Sequence, residues 1–416
     1  MTSRPLHIAF LTPVPKEDGG ISGVATDILD GLCARGHRVD CFLPNSGRDF
    51  TTPERLRRYE NLTFTWSDPK WNWNQWYSRT RLTSFVSGML ARATSYLRLR
   101  RTILAMHDRD PYDLIYQFSS PESLAAPVSL TRRIPLVIHP ETHAAGEVRS
   151  MVAERELALK TQSPVRFGVI VTVTGFRWIA QMVGIGRAKL LICLSEVFRG
   201  HLVRDNRFRG ATVVIPNPVR IERFPVRDTQ PHEPPVVLVL GRISVRKGIE
   251  DVIALAHELE RRECRARIRI VGAPTLWSDY TPLLADLPES NAEYAGSVPD
   301  AGVPAELDAC DVMLQASHYE PFALTVSEGL ASGVPVVATT EVGASEGVDP
   351  EVMATVRPGD VPALADAVEA TLARIARDPH QIATLARSEA ERLFAPSVVC
   401  AAIDRALGEL VDGPQS

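Results

Sequence analysis

The chain is short of several things. Its six cysteines, Cys33, Cys41, Cys193, Cys264, Cys310 and Cys400, form no C-x-x-C pair and have no histidine at metal-ligand spacing. That scatter argues against a disulfide framework and fits reduced thiols in a cytoplasmic protein. Long hydrophobic runs are missing as well. The longest candidate, FGVIVTVTGF from Phe167 to Phe176, falls short of the roughly 18 apolar residues expected of a membrane span. The opening MTSRPLHIAFLTPVP reads as a strand rather than a signal peptide, its apolar stretch being only about six residues long. Excess charge of one sign is absent too. Against 46 Lys and Arg stand 50 Asp and Glu, a net charge of -4, which argues against a nucleic-acid surface. No G-x-G-x-x-G follows the first strand, so a dinucleotide oxidoreductase is not expected. The D-x-D at Asp108-Arg-Asp110 precedes a predicted strand and reads as a solvated turn.

What is present is a long chain with a regular rhythm. At 416 residues it exceeds one ordinary core, and about 150 residues per domain points to two or three. Short β-branched runs alternate with helical periods, the pattern of βα units around parallel sheets. Strands are expected at His7–Thr12, Arg38–Leu43, Leu114–Gln117, Pro135–His139, Leu190–Leu194 and Thr212–Ile215. A second series is expected at Pro235–Leu240, Arg267–Val271, Glu293–Tyr294, Val312–Gln315 and Val334–Ala338. Helices are expected between them, as at Ile249–Arg262 and Val361–Arg377. The proline-rich stretch 216–235, PNPVRIERFPVRDTQPHEPP, is the linker candidate. The expected architecture is α/β, two tandem doubly wound domains facing across a cleft, with ligands beyond the carboxyl ends of the strands.

Two stretches carry candidate chemistry. In VVLVLGRISVRKG, 236–248, a buried strand ends at Gly241, and Arg242 and Lys247 follow before a helix. A fork-shaped guanidinium and a point-charge ammonium together suit a diphosphate, although a solvated basic loop would look the same. In HYEPFALTVSEGLASG, 318–333, Glu320 and Glu328 are separated by seven residues. Thr325-Val-Ser-Glu328 has the form of a capping box, which would make Glu328 a helix-capping carboxylate. That leaves Glu320 unexplained. A helix starting near Thr325 aims its N–H groups at the strand-end crevice, where a phosphate is favoured. Carboxylates beside such an anion are tolerable when they bind hydroxyls. Glu320 on a sugar and Glu328 on a ribose, with the diphosphate between them on Arg242 and Lys247, is a consistent layout.

Here a resemblance becomes specific. EPFALTVSEGLASGVPVVAT resembles the E-x7-E region of family 4 retaining glycosyltransferases, which have the GT-B fold of two Rossmann-like domains. GRISVRKG looks like their diphosphate-binding loop. GISGVATDILDGLCARGHRVDCFLP looks like their Gly-rich first loop, helix and second strand, while LLICLSEVFRGHL and VVIPNPVRIERF look like their interdomain stretch. RPGDVPALADAV and LFAPSVVCAAIDRAL match the family's tail. The match covers nearly the whole chain apart from about residues 50–110, by motif order rather than by any one motif.

The resemblance implies an N-terminal acceptor domain over 1–216, a nucleotide-sugar domain over 217–393, and a last helix over 394–416 crossing back. It implies that Arg242 and Lys247 bind the donor diphosphate and Glu328 the ribose. Glu320 and the backbone of Phe322, Ala323 and Leu324 would meet the transferred sugar. Gly19 and Gly20 would approach donor or acceptor, and Ser297 and Val298 the base. No metal or other cofactor is expected, because fixed cations and the helix terminus stabilise the leaving group.

Departures matter. The family's usual histidine position holds Glu141, flanked by His139 and His143. Either the role has moved to His143 or His139, or a carboxylate stands by the anomeric carbon. Asn217-Pro218 stands where Asn-Gly is usual, Ala323 where Gly is usual, and Val342-Gly343 where Gly-Gly is common. The unmatched aromatic and basic segment offers an acceptor pocket of Trp71, Trp73, Trp76 and Tyr77, a peripheral membrane contact through 71–101, or an amphipathic helix packed on the first domain.

The expected function is retaining transfer of a sugar from a nucleotide-diphosphate donor to a hydroxyl acceptor, which is a small molecule, a natural product or lipid-linked. Alternatives on the same fold are a sugar-nucleotide epimerase, a pseudo-glycosyltransferase, and a silent sugar-nucleotide-binding partner. Base, sugar, acceptor and oligomeric state are not legible.

Overall fold

The computed structural model describes residues 4–17, 19–44, 50–67, 81–119, 125–161, 163–226, 230–274 and 279–413. Trp71, Trp73, Trp76 and Tyr77 lie outside them. The first domain runs β1 (His7–Leu11), α1 (Gly20–Ala34), β2 (Arg38–Pro44), β3 (Leu62–Ser67), α2 (Arg81–His107), β4 (Leu114–Ser119) and β5 (Leu136–Pro140). It continues with α3 (Ala144–Ala153), α4 (Arg155–Thr161), α5 (Pro164–Ile185), β6 (Leu190–Cys193), α6 (Glu196–Asn206) and β7 (Ala211–Val214). These strands form a parallel sheet in the order β3-β2-β1-β4-β5-β6-β7. The second domain contains β8 (Val236–Leu240), α7 (Ile249–Arg261), β9 (Arg267–Val271), β10 (Ala292–Gly296), α8 (Val303–Asp308), β11 (Val312–Gln315), α9 (Leu324–Ala331), β12 (Val336–Thr339), β13 (Met353–Val356), α10 (Val361–Arg377) and α11 (Pro379–Phe394). Its parallel order is β10-β9-β8-β11-β12-β13.

Near-continuous apolar strands such as VVLVL and VMLQ are what a sheet covered on both faces requires, and β4, β5, β6, β11 and β12 are buried along their whole length. Two strands escaped the sequence reading, β3 and β13. Both are edge strands, partly exposed, with no long apolar run to mark them, although Asp349-Pro350 and Pro358-Gly359 flank β13 as turn signals.

The strand order reverses between β1 and β4 in one sheet and between β8 and β11 in the other. Ligand crevices form at such switch points. The loops after β1, β8 and β11 are therefore placed to meet a ligand, and they carry Gly19, Arg242 to Lys247, and Glu320 respectively.

The final helix, α12 (Pro396–Asp412), leaves the second domain and packs on the first. Val399, Ile403 and Leu407 join Leu6, Phe10, Val24 and Ile28 in one buried cluster. At about 1.5–3 kcal/mol per buried aliphatic side chain, those three contribute roughly 5–9 kcal/mol as an upper bound. Polar contacts fix the register: His37 Nε2 lies 3.0 Å from Asp404 Oδ1, and Arg35 donates to the Ser397 carbonyl at 3.0 Å. A Cβ on Gly31 would sit 2.3 Å from Cys400 Sγ, so only glycine lets the two helices approach this closely.

Candidate functional site

The basic loop is shaped by two glycines. A Cβ on Gly272 would lie 1.7 Å from the Gly241 carbonyl, and one on Gly248 would lie 1.9 Å from the Ala316 carbonyl. Between Gly241 and Gly248, Ile243 and Val245 are buried, which anchors the loop and turns Arg246 and Lys247 inward on a 3-10 turn. Arg242 stays exposed, yet it lines the same small cavity as Lys247 and Gln315, at the ends of β8 and β11.

Lys247 Nζ lies 2.5 Å from Glu320 Oε2, and Arg246 Nη1 lies 3.2 Å from the same oxygen. Arg246 also donates to the Tyr319 carbonyl at 2.7 Å. Burial alone would raise Glu320, but Lys247 and Arg246 outweigh it and hold the carboxyl below its ordinary range. Burial pulls Lys247 down, opposed by Glu320. The backbone of Glu320 is clamped by hydrogen bonds from its N–H to the Glu341 carbonyl and from Gly343 N–H to its own carbonyl, both 3.0 Å. Gly343 is required there: a Cβ would meet the Pro321 carbonyl at 2.2 Å.

Helix α9 begins one residue before the expected Thr325, with Ala323 as its N-cap at φ 79°. The capping-box reading of Glu328 is thus overturned. Thr325 is already inside the helix, and its hydroxyl points to Gln315 Oε1 at 3.5 Å. Ala323 holds a left-handed conformation that favours glycine, at the position where the resemblance leads one to expect Gly. The Phe322 side chain is core, edge-on to Phe394, so only its backbone can face a ligand.

Glu328, half-buried, lines a cavity between the domains together with Gly19, Gly20, Arg223 and Leu324. Burial raises it to about 7, with Arg223 opposing. Gly19 caps α1 at φ 89°, and a Cβ there would lie 1.9 Å from Asp300 Oδ2 of the second domain. Ser297 and Val298 follow β10 on the loop leading to Asp300, Ser297 exposed and Val298 partly buried.

The residues around Glu141 divide into two groups. Glu141 accepts from Asn217 Nδ2 at 2.7 Å, while His139 Nδ1 lies 2.7 Å from the Tyr116 hydroxyl. Glu141 Oε1 and His139 Nε2 are 3.8 Å apart, both buried and without a hydrogen-bond partner. Burial pushes Glu141 up to about 8 and His139 down to about 3. Burial thus disfavours the charged form of both groups, with the hydrogen bond from Asn217 opposing the rise at Glu141. His143, in contrast, reaches the other domain. Its Nδ1 lies 2.7 Å from the Tyr319 hydroxyl, next to Glu320 in sequence, and burial lowers it to about 4.

The domains also touch elsewhere around this cleft. Ser195 Oγ donates to the Pro321 carbonyl at 3.1 Å, and the Glu346 carboxylate accepts from Glu196 N and Val197 N at 2.6 and 2.9 Å, capping α6 from across the gap.

Sequence reasoning missed Arg246, Tyr319 as the partner of His143, Asn217 as the partner of Glu141, and Asp300. The adjacent cations of VRKG were visible, but which of them turn inward depends on the 3-10 turn.

Comparison with known proteins adds the family context. The profile described as "Glycosyl transferases group 1" matches residues 234–374, and that of the "Glycosyl transferase 4-like domain" matches residues 19–218, running through the segment around 50–110 that carried no motif. Mannosylfructose-phosphate synthase of Agrobacterium fabrum is 34% identical over 117 residues, 26% of each chain. Glycogen synthase of Mycobacterium tuberculosis is 30% identical over 187 residues, 43% of each chain. The chain thus spans between a quarter and a half of the length of these curated relatives. Sucrose-phosphate synthase from Thermosynechococcus elongatus has the same fold, with a TM-score of 0.69 at 19% identity over 98% of this chain and 99% of its own. The Anabaena protein HepE, solved in complex with UDP-glucose, gives 0.65 at 20% identity over 97% and 100%.

Proposed function

The chain belongs to the group 1 glycosyl transferases, and from that premise we propose a retaining transfer of a sugar from a nucleoside-diphosphate donor to a hydroxyl acceptor. The observation that carries the proposal is the convergence of Arg246 and Lys247 on Glu320 at the strand ends of the second domain, with Arg242 lining the same small cavity as Lys247. Across from it, Glu328 shares an interdomain cavity with Gly19 and Gly20. Two cations on one acid, a third cation beside Lys247, and a second acid eight positions on in the sequence suit a diphosphate flanked by two polyol rings. The bound UDP-glucose of the Anabaena protein supports a donor of this class.

In this reading Lys247 and Arg242 hold the diphosphate, helped by the N–H groups at the start of α9. Glu320 accepts hydrogen bonds from the sugar and Glu328 from the ribose. The acceptor oxygen attacks the anomeric carbon from the face that the diphosphate leaves. As the new C–O bond forms, the old one breaks, and the acceptor proton passes to the departing phosphate oxygen. The cations stabilise that developing charge, so neither a metal nor a protein nucleophile is assigned a role. His143, neutral and fixed by Tyr319, stands at the domain junction as a positioning group for the sugar.

A thermal-shift panel of uridine, guanosine, thymidine and adenosine diphosphate sugars tests the donor class, because a bound donor stabilises the fold by mass action. One nucleotide series should raise Tm, and transfer should then persist in chelator with the anomeric configuration kept by NMR. No shift with any donor, or an inverted product, would overturn the reading.

A further inference from the structure

Helix α5 is built inside out. Its row Val165, Gly168, Thr172, Phe176, Ile179 and Val183 recurs at helical spacing and faces outward. Val165, Phe176, Ile179 and Val183 are 77%, 64%, 54% and 59% exposed, and from Gly168 to Val183 that row carries no charge. The inward side holds polar groups: Gln181 accepts from Ala144 N at 3.0 Å and donates to the Thr142 carbonyl at 2.9 Å. Among the described residues α5 is the one helix long and apolar enough to cross a membrane, with a mean hydropathy of 1.4. The expectation that no such segment exists is corrected here. The sequence reading stopped at Phe176, where Arg177 interrupts the run, although Arg177 pairs with Glu147 at 3.0 Å. Because Gln181 ties α5 to the start of α3, the helix belongs to the fold and lies along its surface.

The surroundings are basic. Residues 144–189 hold seven Lys and Arg against three Glu, a balance of +4 in a chain of net charge -4. Helix α2 adds five arginines and no acid. Arg100 of α2 lies close enough to the end of α5 to help burial lower Arg187. Glu154, just past α3, accepts from Tyr280 of the second domain at 3.3 Å, so the pair formed by α3 and α5 borders the cleft.

We propose that the outer face of α5, with the basic flank of α2, docks this protein on an anionic lipid surface. An apolar stripe edged by Lys and Arg is the pattern of a helix lying in the headgroup region. A second copy of the chain fits less well, since a two-fold contact through this face would bring basic rim against basic rim.

Flotation of the full chain with vesicles of phosphatidylglycerol and phosphatidylcholine in equal parts tests this. The chain should float with them, and at least about tenfold less with phosphatidylcholine alone or at high salt. F176E/I179E should lose about tenfold or more of the binding, while its donor-induced rise in Tm matches the wild type. R101E, on α2 and outside the apolar row, should weaken binding about fivefold. Absence of flotation, or unchanged binding by both variants, would refute the proposal. A stable dimer by light scattering that F176E/I179E turns into a monomer would assign the face to a second copy instead.

Discussion

Glu320→Gln should move two affinities by different amounts. In the donor-free site Lys247 and Arg246 both rest on Glu320 Oε2. A diphosphate taking Lys247 from it would bring a phosphate charge to about 5 Å from the carboxylate, worth about 3 kcal/mol of repulsion at an effective dielectric of about 20. Arg242 and Arg246 offset part of this, leaving about 1.5 kcal/mol. The amide removes that repulsion and frees Lys247, so the bare nucleoside diphosphate should bind about tenfold more tightly. The sugar donor gains less, because its hydroxyls lose a charged acceptor that contributes about 1.5–3 kcal/mol per hydrogen bond. The ratio of donor to product affinity should therefore fall by tenfold or more, and kcat should drop about a hundredfold or more. Isothermal titration with both ligands, alongside single-turnover kinetics, reads these quantities. Weaker nucleoside-diphosphate binding in E320Q would show that Glu320 does not compete for Lys247, and the electrostatic account of the site would fail.

Two further outcomes follow from the same geometry. Ala323→Gly trades relief of about 1–2 kcal/mol of left-handed strain against backbone entropy and one buried methyl, so urea unfolding should place it within about 0.5 kcal/mol of wild type. Ala323→Val should lose about 2–3 kcal/mol, and a glycine variant as unstable as the valine one would show that the φ of 79° carries no strain. Glu328, raised to about 7 by burial, is protonated below that pH and a carboxylate above it. If the carboxylate holds the ribose, donor affinity should fall as the pH drops from about 8 to about 6, by up to about tenfold per unit below 7, and E328Q should show a flat profile. A slope that survives in E328Q would assign the titration to another group.

Much of the fold was legible because it rests on local signals. Buried parallel strands write themselves as β-branched runs, and eleven were expected from such runs. The edges β3 and β13 were missed because an edge strand is half-solvated and needs no such run. The basic loop and the two acids of 318–333 were visible as residue types at fixed spacing, and Gly19 and Gly20 through the resemblance to a Gly-rich first loop. Their meeting was not. Whether Arg242, Arg246 or Lys247 turns inward depends on buried Ile243 and Val245 and on a 3-10 turn, which residue type does not encode. Glu141 shows the limit most clearly. As a sequence position it reads as a carboxylate, but burial raises its pKa to about 8 against the opposing hydrogen bond from Asn217. By itself the sequence determined most of the strand series and the inventory of charges, because these follow from composition and period. Only the tertiary packing decided which charges are desolvated, which pair, and which face of α5 is left to the solvent, because burial is a property of distant neighbours.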